Sequence, residues 1–148
     1  IPTLVINDLT ITDSDNICLY LDSISKKETL FPKKSYWNIM SMTSIANGLM
    51  ESVLERRMES IRPDNEKSKN FINKQEIRII RTIKWLENNW NNYNENYFTM
   101  DQIAIACALD YTIFRFNDKW KADSPKLNKW FNEFVKKDFI KFTTPYDK

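Results

Sequence analysis

The sequence predicts a mostly α-helical chain with a small α/β piece at its N-terminus. Three observations carry this. Two short β-branched runs, residues 1–6 and 9–13, stand at the start. Beyond residue 35, apolar residues recur at helical spacing over long stretches. A single glycine among 148 residues argues against a Gly-rich phosphate loop or a turn-rich β-sandwich.

The two runs read as strands, and Asn7-Asp8 between them suits a tight hairpin turn. Asp13 or Ser14 is a good N-cap for a helix beginning there. Ile17, Cys18, Leu21 and Ile24 then repeat at helical spacing. Residues 26–34 are polar, include Pro32 and read as a linker. The chain is thus expected to divide into a piece at 1–25, the linker at 26–34 and an all-helical part at 35–148.

In the helical part, Ile39, Met42, Ile45, Ala46, Leu49, Met50, Val53, Leu54, Met58 and Ile61 form one stripe over 36–61. It ends before Pro63, which disfavours helix at Arg62. Ile72, Ile79, Ile83, Leu86 and Trp90 repeat the pattern over 68–92, and 88–96 is a polar loop. Thr99 and Gln102 then make a capping box, with Phe98 and Ile103 as its hydrophobic staple. The helix they open is apolar on all sides from Ile103 to Leu109, so it is expected in the middle of a bundle. Pro125 starts a shorter helix bearing Leu127, Trp130, Phe131 and Phe134. Residues 142–145 read as an irregular tail.

Composition removes several function classes. With 22 basic against 20 acidic residues and no block of like charge, neither a nucleic-acid arm nor a polybasic membrane patch is expected. No apolar stretch approaches the ~20 residues that span a bilayer, and nothing resembles a signal peptide. There is no histidine, which excludes His triads, His metal sites and a His general base; no metal is expected. Cys18 and Cys107 sit in apolar helical patterns without a CxxC partner. They read as two buried structural thiols of a cytoplasmic protein.

Taken in order, these elements resemble a bacterial glutathione transferase from the third strand of its thioredoxin-like domain to its C-terminus. The resemblance rests on Ile1-Pro2 opening the first run, Asp13-Ser14 before the first helix and Leu30-Phe31-Pro32 in the linker. It also rests on Ile45 to Ser52, the Arg62-Pro63 stop and the stretch from Ala104 to Phe116. It implies part of a thioredoxin-like domain followed by the family's all-helical C-terminal domain. The family opens its buried helix with Thr or Ser and, three residues on, Asp. Gln102 stands there in this chain.

The resemblance also implies a site. Pro2 matches the family's cis-proline, which leaves the backbone of Ile1 free to pair with the cysteinyl part of glutathione like an added strand. Ser14, at the positive end of a helix, matches the serine that takes the γ-glutamyl carboxylate. Asp13 matches the acid facing the γ-glutamyl ammonium. The implied pocket for the second substrate lies between the domains, with Met50, Leu54, Arg57, Met58, Tyr111 and Arg115 as contributors. The outward side of helix 36–61 is where such proteins pair as homodimers.

The implied activity is conjugation of the glutathione thiolate, as co-substrate, to a small hydrophobic electrophile. The group that activates the thiol belongs to the family's first strand–helix turn. It is expected upstream of Ile1, together with that strand, its helix and a second strand, so this stretch alone is expected to be inactive. The alternative is a non-catalytic protein of the same fold that docks onto a protein partner. Asp13-Ser14 argues against it, since a relative without glutathione has no use for the pair.

Overall fold

A hairpin opens the chain because Asn7 accepts a left-handed conformation, at φ 50°, which a two-residue turn requires. In the computed structural model, which describes residues 2–90 and 97–143, strands β1 (Thr3–Ile6) and β2 (Leu9–Thr12) pair antiparallel. Thr3 lies opposite Thr12 and Ile6 opposite Leu9. Helix α1 (Ser14–Ile24) follows directly. Its apolar stripe is real but shallow: no α1 residue is buried, and Leu21 and Ile24 are exposed. Only Cys18 and Leu19 pack inward, against Phe31, Ile39 and Met100.

After a single 3₁₀ turn at Lys33–Ser35, two long helices, α2 (Tyr36–Ser60) and α3 (Lys69–Asn88), form the frame of the helical part. Helix α4 (Met100–Arg115) packs along α2. Short helices α5 (Trp120–Asp123), α6 (Pro125–Phe134) and α7 (Asp138–Lys141) close one side. The core joins Ala46, Leu49 and Val53 of α2 to Ile79, Ile83 and Leu86 of α3. From the other side come Ile105, Ala108 and Leu109 of α4 and Leu127 and Phe131 of α6. Each large apolar side chain so buried contributes about 1.5–3 kcal/mol.

The apolar stripe expected on α2 divides in two. Ile39, Met42, Ala46, Leu49 and Val53 are buried, whereas Leu54, Met58 and Ile61 are exposed. At 100° per residue the set is wider than one contact face, so its far edge lies on the flank. Helix α3 stops at Asn88, short of the expected 92, where Asn89 donates from its backbone to Trp85 O at 3.0 Å. Trp90 lies beyond the helix yet packs on the core, its ring 4.6 Å from that of Trp130. Residues 91–96 of the expected loop lie outside the described residues, as do 144 and 145 of the expected tail.

The capping box does not form as expected. Thr99 is the N-cap of α4, but its side chain makes no capping bond. Backbone groups do that work: Gln102 N donates to Thr99 O at 3.1 Å, and Met100 N donates to Leu30 O in the linker at 3.0 Å. A linker carbonyl has replaced part of the cap, so the helix start is tied to a distant segment. Phe98 and Ile103 do share one apolar cluster, with Phe134 and Ile140.

One buried carboxylate joins two helices. Glu87, at the end of α3, accepts Lys126 N on Oε1 at 3.2 Å and Leu127 N on Oε2 at 2.8 Å. It thereby satisfies two amides that α6 cannot bond internally, and its charge suits the positive end of that helix. Glu87→Gln keeps the shape but leaves one amide facing an NH₂ group. We expect a loss of about 1–2 kcal/mol in urea unfolding, and Glu87→Ala to cost more; an unchanged midpoint for both would remove the clamp.

Candidate functional site

The hairpin brings together residues eleven positions apart. Because Thr3 faces Thr12, Pro2 arrives beside Asp13, and Asp13 N donates to Pro2 O at 3.3 Å. Asp13 proves to be the N-cap of α1, deciding between the two candidates. Its Oδ1 accepts Asp15 N at 3.0 Å and its carbonyl accepts Ile17 N at 3.0 Å. Its backbone is at φ 77°, ψ 137°, a region that costs a non-glycine residue about 1–3 kcal/mol and is held mostly at functional sites. Ser14 follows as the first helical residue, exposed. Among the described residues, neither its amide nor its hydroxyl has a hydrogen-bond partner. Pro2, Asp13 and Ser14 therefore form a corner with open donors at a helix N-terminus, suited to a carboxylate. Ile1 lies outside the described residues, and so does the geometry of its bond to Pro2.

Contact with the helical part begins one residue further. Asn47 Nδ2 of α2 donates to Asp15 Oδ2 at 2.9 Å. One turn along α2, Met50 borders a cleft of about 200 Å³. Ala106, Cys107, Asp110 and Tyr111 of α4, Ile140 of α7 and Thr143 complete its wall. Of the six residues expected to line a second-substrate pocket, Met50 and Tyr111 thus share one cleft. Leu54, Arg57, Met58 and Arg115 do not border it. Leu54 and Met58 are exposed on the flank of α2, Arg57 between them in sequence is half-buried, and the Arg115 guanidinium lies 3.8 Å from the centre of the Phe114 ring.

Cys107 and Asp110 were not expected there. The run from Ile103 to Leu109 is apolar on every side, so periodicity could not show that one edge of it is uncovered. Asp110, the acidic residue that ends the run, was the available sign.

The thiols also depart from expectation. Cys107 is exposed and Cys18 only half-buried. The Cys18 thiol is pushed up from its ordinary range by partial burial first, then by Asp15 and Asp13. Burial also raises the Cys107 thiol, with Asp110 and Cys18 adding to it. Both therefore stay protonated at neutral pH, the opposite of an activated nucleophile. Asp110 is raised by burial, while Lys121 pulls it down. Among the described residues no cluster of three or more His, Cys, Asp or Glu could hold a metal ion, and no helix is long and apolar enough to cross a membrane.

Known proteins share this fold. No protein-family model matches the chain. It is 25% identical over 138 residues to the uncharacterised GST-like protein YibF of Escherichia coli K12, covering 90% of this chain and 68% of that protein. A glutathione transferase family member from Pseudomonas fluorescens Pf-5, crystallised with S-(propanoic acid)-glutathione, superposes with TM-score 0.92 at 27% identity. That match covers 99% of this chain and 78% of the other. A glutathione S-transferase from Methylobacillus flagellatus KT with glutathione bound gives 0.91 at 25% identity, over 99% and 76% of the two chains. The chain is glutathione transferase-like, in fold and in the relatives its sequence and structure find.

The corner makes its own prediction. Asp13→Ala removes the cap and keeps the left-handed backbone, so we expect it to destabilise by about 1–2 kcal/mol. Asp13→Gly loses the same cap but relieves the backbone and is expected to fall near wild type. Equal urea midpoints for the two variants would mean that the backbone at Asp13 carries no strain.

Proposed function

We propose that the protein binds glutathione at the Pro2–Asp13–Ser14 corner and conjugates its thiolate to a small hydrophobic electrophile in the adjoining cleft. The observation that carries this is the corner itself: a helix N-terminus with an open amide and hydroxyl on Ser14, beside a strained acid and a strand end. Ser14 receives the γ-glutamyl carboxylate, whose charge the helix dipole favours. The free Oδ2 of Asp13 faces the γ-glutamyl ammonium, and the backbone of Ile1 pairs with the cysteinyl unit. Glutathione crystallised with the structural neighbours supports the same ligand here.

In this reading residues 1–25 are the end of a thioredoxin-like glutathione-binding domain, 26–34 its linker and 35–148 the helical domain that supplies the electrophile pocket. Met50 and Tyr111 form the pocket floor. Leu54, Arg57, Met58 and Arg115, which do not border this cleft, are left out of the proposed pocket. The cytoplasm, where glutathione is kept reduced, is the matching compartment.

Calorimetric titration of the full-length protein with glutathione tests the reading. We expect saturable binding that Ser14→Ala weakens about tenfold (~1.4 kcal/mol), together with catalysed conjugation of chlorodinitrobenzene. Absence of binding at millimolar glutathione would sink it.

We also propose a two-fold homodimer through the outward flank of α2. Leu54, Met58 and Ile61 stand exposed there, with Ile77 and Ile80 exposed on α3, apolar positions that a second copy would cover. Light scattering is expected to give twice the chain mass, and Met58→Glu to return it to the single value; a monomer at micromolar concentration refutes the dimer.

A further inference from the structure

The cleft beside the corner is apolar on most sides but carries one acid. Met50, Ala106 and Ile140 supply hydrocarbon and thioether walls, and Asp110 is half-buried among them. A carboxylate there has few compensating charges. Lys121 is the cation acting on it, and that ammonium also lies 4.0 Å from Asp118. Among the described residues lining the cleft there is no Lys or Arg. A substrate group entering it therefore meets a negative charge with apolar material behind it, where charge–charge effects are several times stronger than in water.

The cleft is also within reach of a group held at the corner. Asp15, next to Ser14, holds Asn47 of α2, and Met50 in the cleft wall is three residues on, about one helical turn. A short substituent on the sulfur of a glutathione seated at Pro2, Asp13 and Ser14 enters this space.

We propose that Asp110 is a specificity-determining residue of the conjugation reaction, selecting uncharged electrophiles with a hydrogen-bond donor, such as unsaturated amides, over those bearing a carboxylate. This rests on the function proposed above. The amide N–H bonds to the Asp110 carboxylate, while an acid of the same shape is repelled and leaves both groups without a donor. Tyr111 and Thr143 offer hydroxyls at the same wall, but two hydroxyls do not neutralise a second carboxylate.

An isosteric pair of ligands separates the possibilities. S-(2-carbamoylethyl)glutathione and S-(2-carboxyethyl)glutathione differ only in amide against acid. In calorimetric titrations of the full-length protein we expect the amide conjugate to bind at least about tenfold tighter than the acid. Asp110→Asn should bring the ratio to within about threefold, mainly by improving the acid. Asp64→Asn, outside the cleft and paired with Lys67, should leave the ratio as in wild type and so exclude a general effect of net charge. Equal affinities in the wild type, or a ratio that Asp110→Asn does not change, overturn the assignment of Asp110 even though glutathione binds. If unmodified glutathione does not bind either, the reading of the corner has failed and the assignment falls with it.

Discussion

Everything functional in this chain depends on how α4 is buried. Ala104, Ile105, Ala108 and Leu109 lie against α2 and α3 with almost no exposure. Small side chains at 104 and 108 let the helix axes approach closely, and that packing fixes the rotation of α4. Ala106, Cys107, Asp110 and Tyr111 then lie along the edge of that contact, where they meet Met50 of α2 and make a cleft. Cores of native density tolerate little rotation, so the chemistry lining the cleft is a by-product of the core.

The corner at Asp13 is held differently. No residue of α1 is buried, so beyond the packing of Cys18 and Leu19 on Phe31, Ile39 and Met100 its position rests on a few polar contacts at either end. Asn47 holds Asp15 at the start of the helix. At the other end Asp22 accepts Thr29 Oγ1 at 2.6 Å and Leu30 N at 2.7 Å. Leu30 in turn gives its carbonyl to Met100 N at the head of α4. Bonds of this kind are worth about 0.5–1.5 kcal/mol each, far less together than the helical core. The hairpin and α1 are accordingly the part of the described molecule with the lowest local stability. The Leu30–Met100 bond is what links their placement to α4.

Periodicity made the hairpin and the helices legible, since side chains repeat every two residues in strands and every 3.6 in helices. It could not say which stretch of a face is covered. Leu54, Met58 and Ile61 fit the α2 stripe and yet lie on its flank, and Cys107 fits an all-apolar helix and yet borders a cleft. Capping chemistry was legible only where the partner is local. Asp13 caps its own helix, but the start of α4 is tied down by Leu30, seventy residues earlier, which no short motif reveals. In the sequence, Pro2, Asp13 and Ser14 are joined by resemblance alone; the physical reason they meet is the hairpin register, Thr3 opposite Thr12, which puts Pro2 beside Asp13. Met50 and Tyr111 are on different helices, and only the crossing of α2 and α4 brings them to one cleft.

The corner and the cleft differ in electrostatic character, and the difference stems from their construction. A helix that starts at a surface exposes amides its own turns cannot bond, so the head of α1 offers donors to an anion. The side wall of a helix has its amides already bonded, so the cleft along α4 has only side chains with which to meet a ligand. The charged one among them is Asp110. In the proposed binding mode the γ-glutamyl carboxylate of glutathione meets the open amide of Ser14 and the central cysteinyl sulfur is turned towards α4. Placed the other way, that carboxylate would face Asp110 and the amide of Ser14 would gain no acceptor.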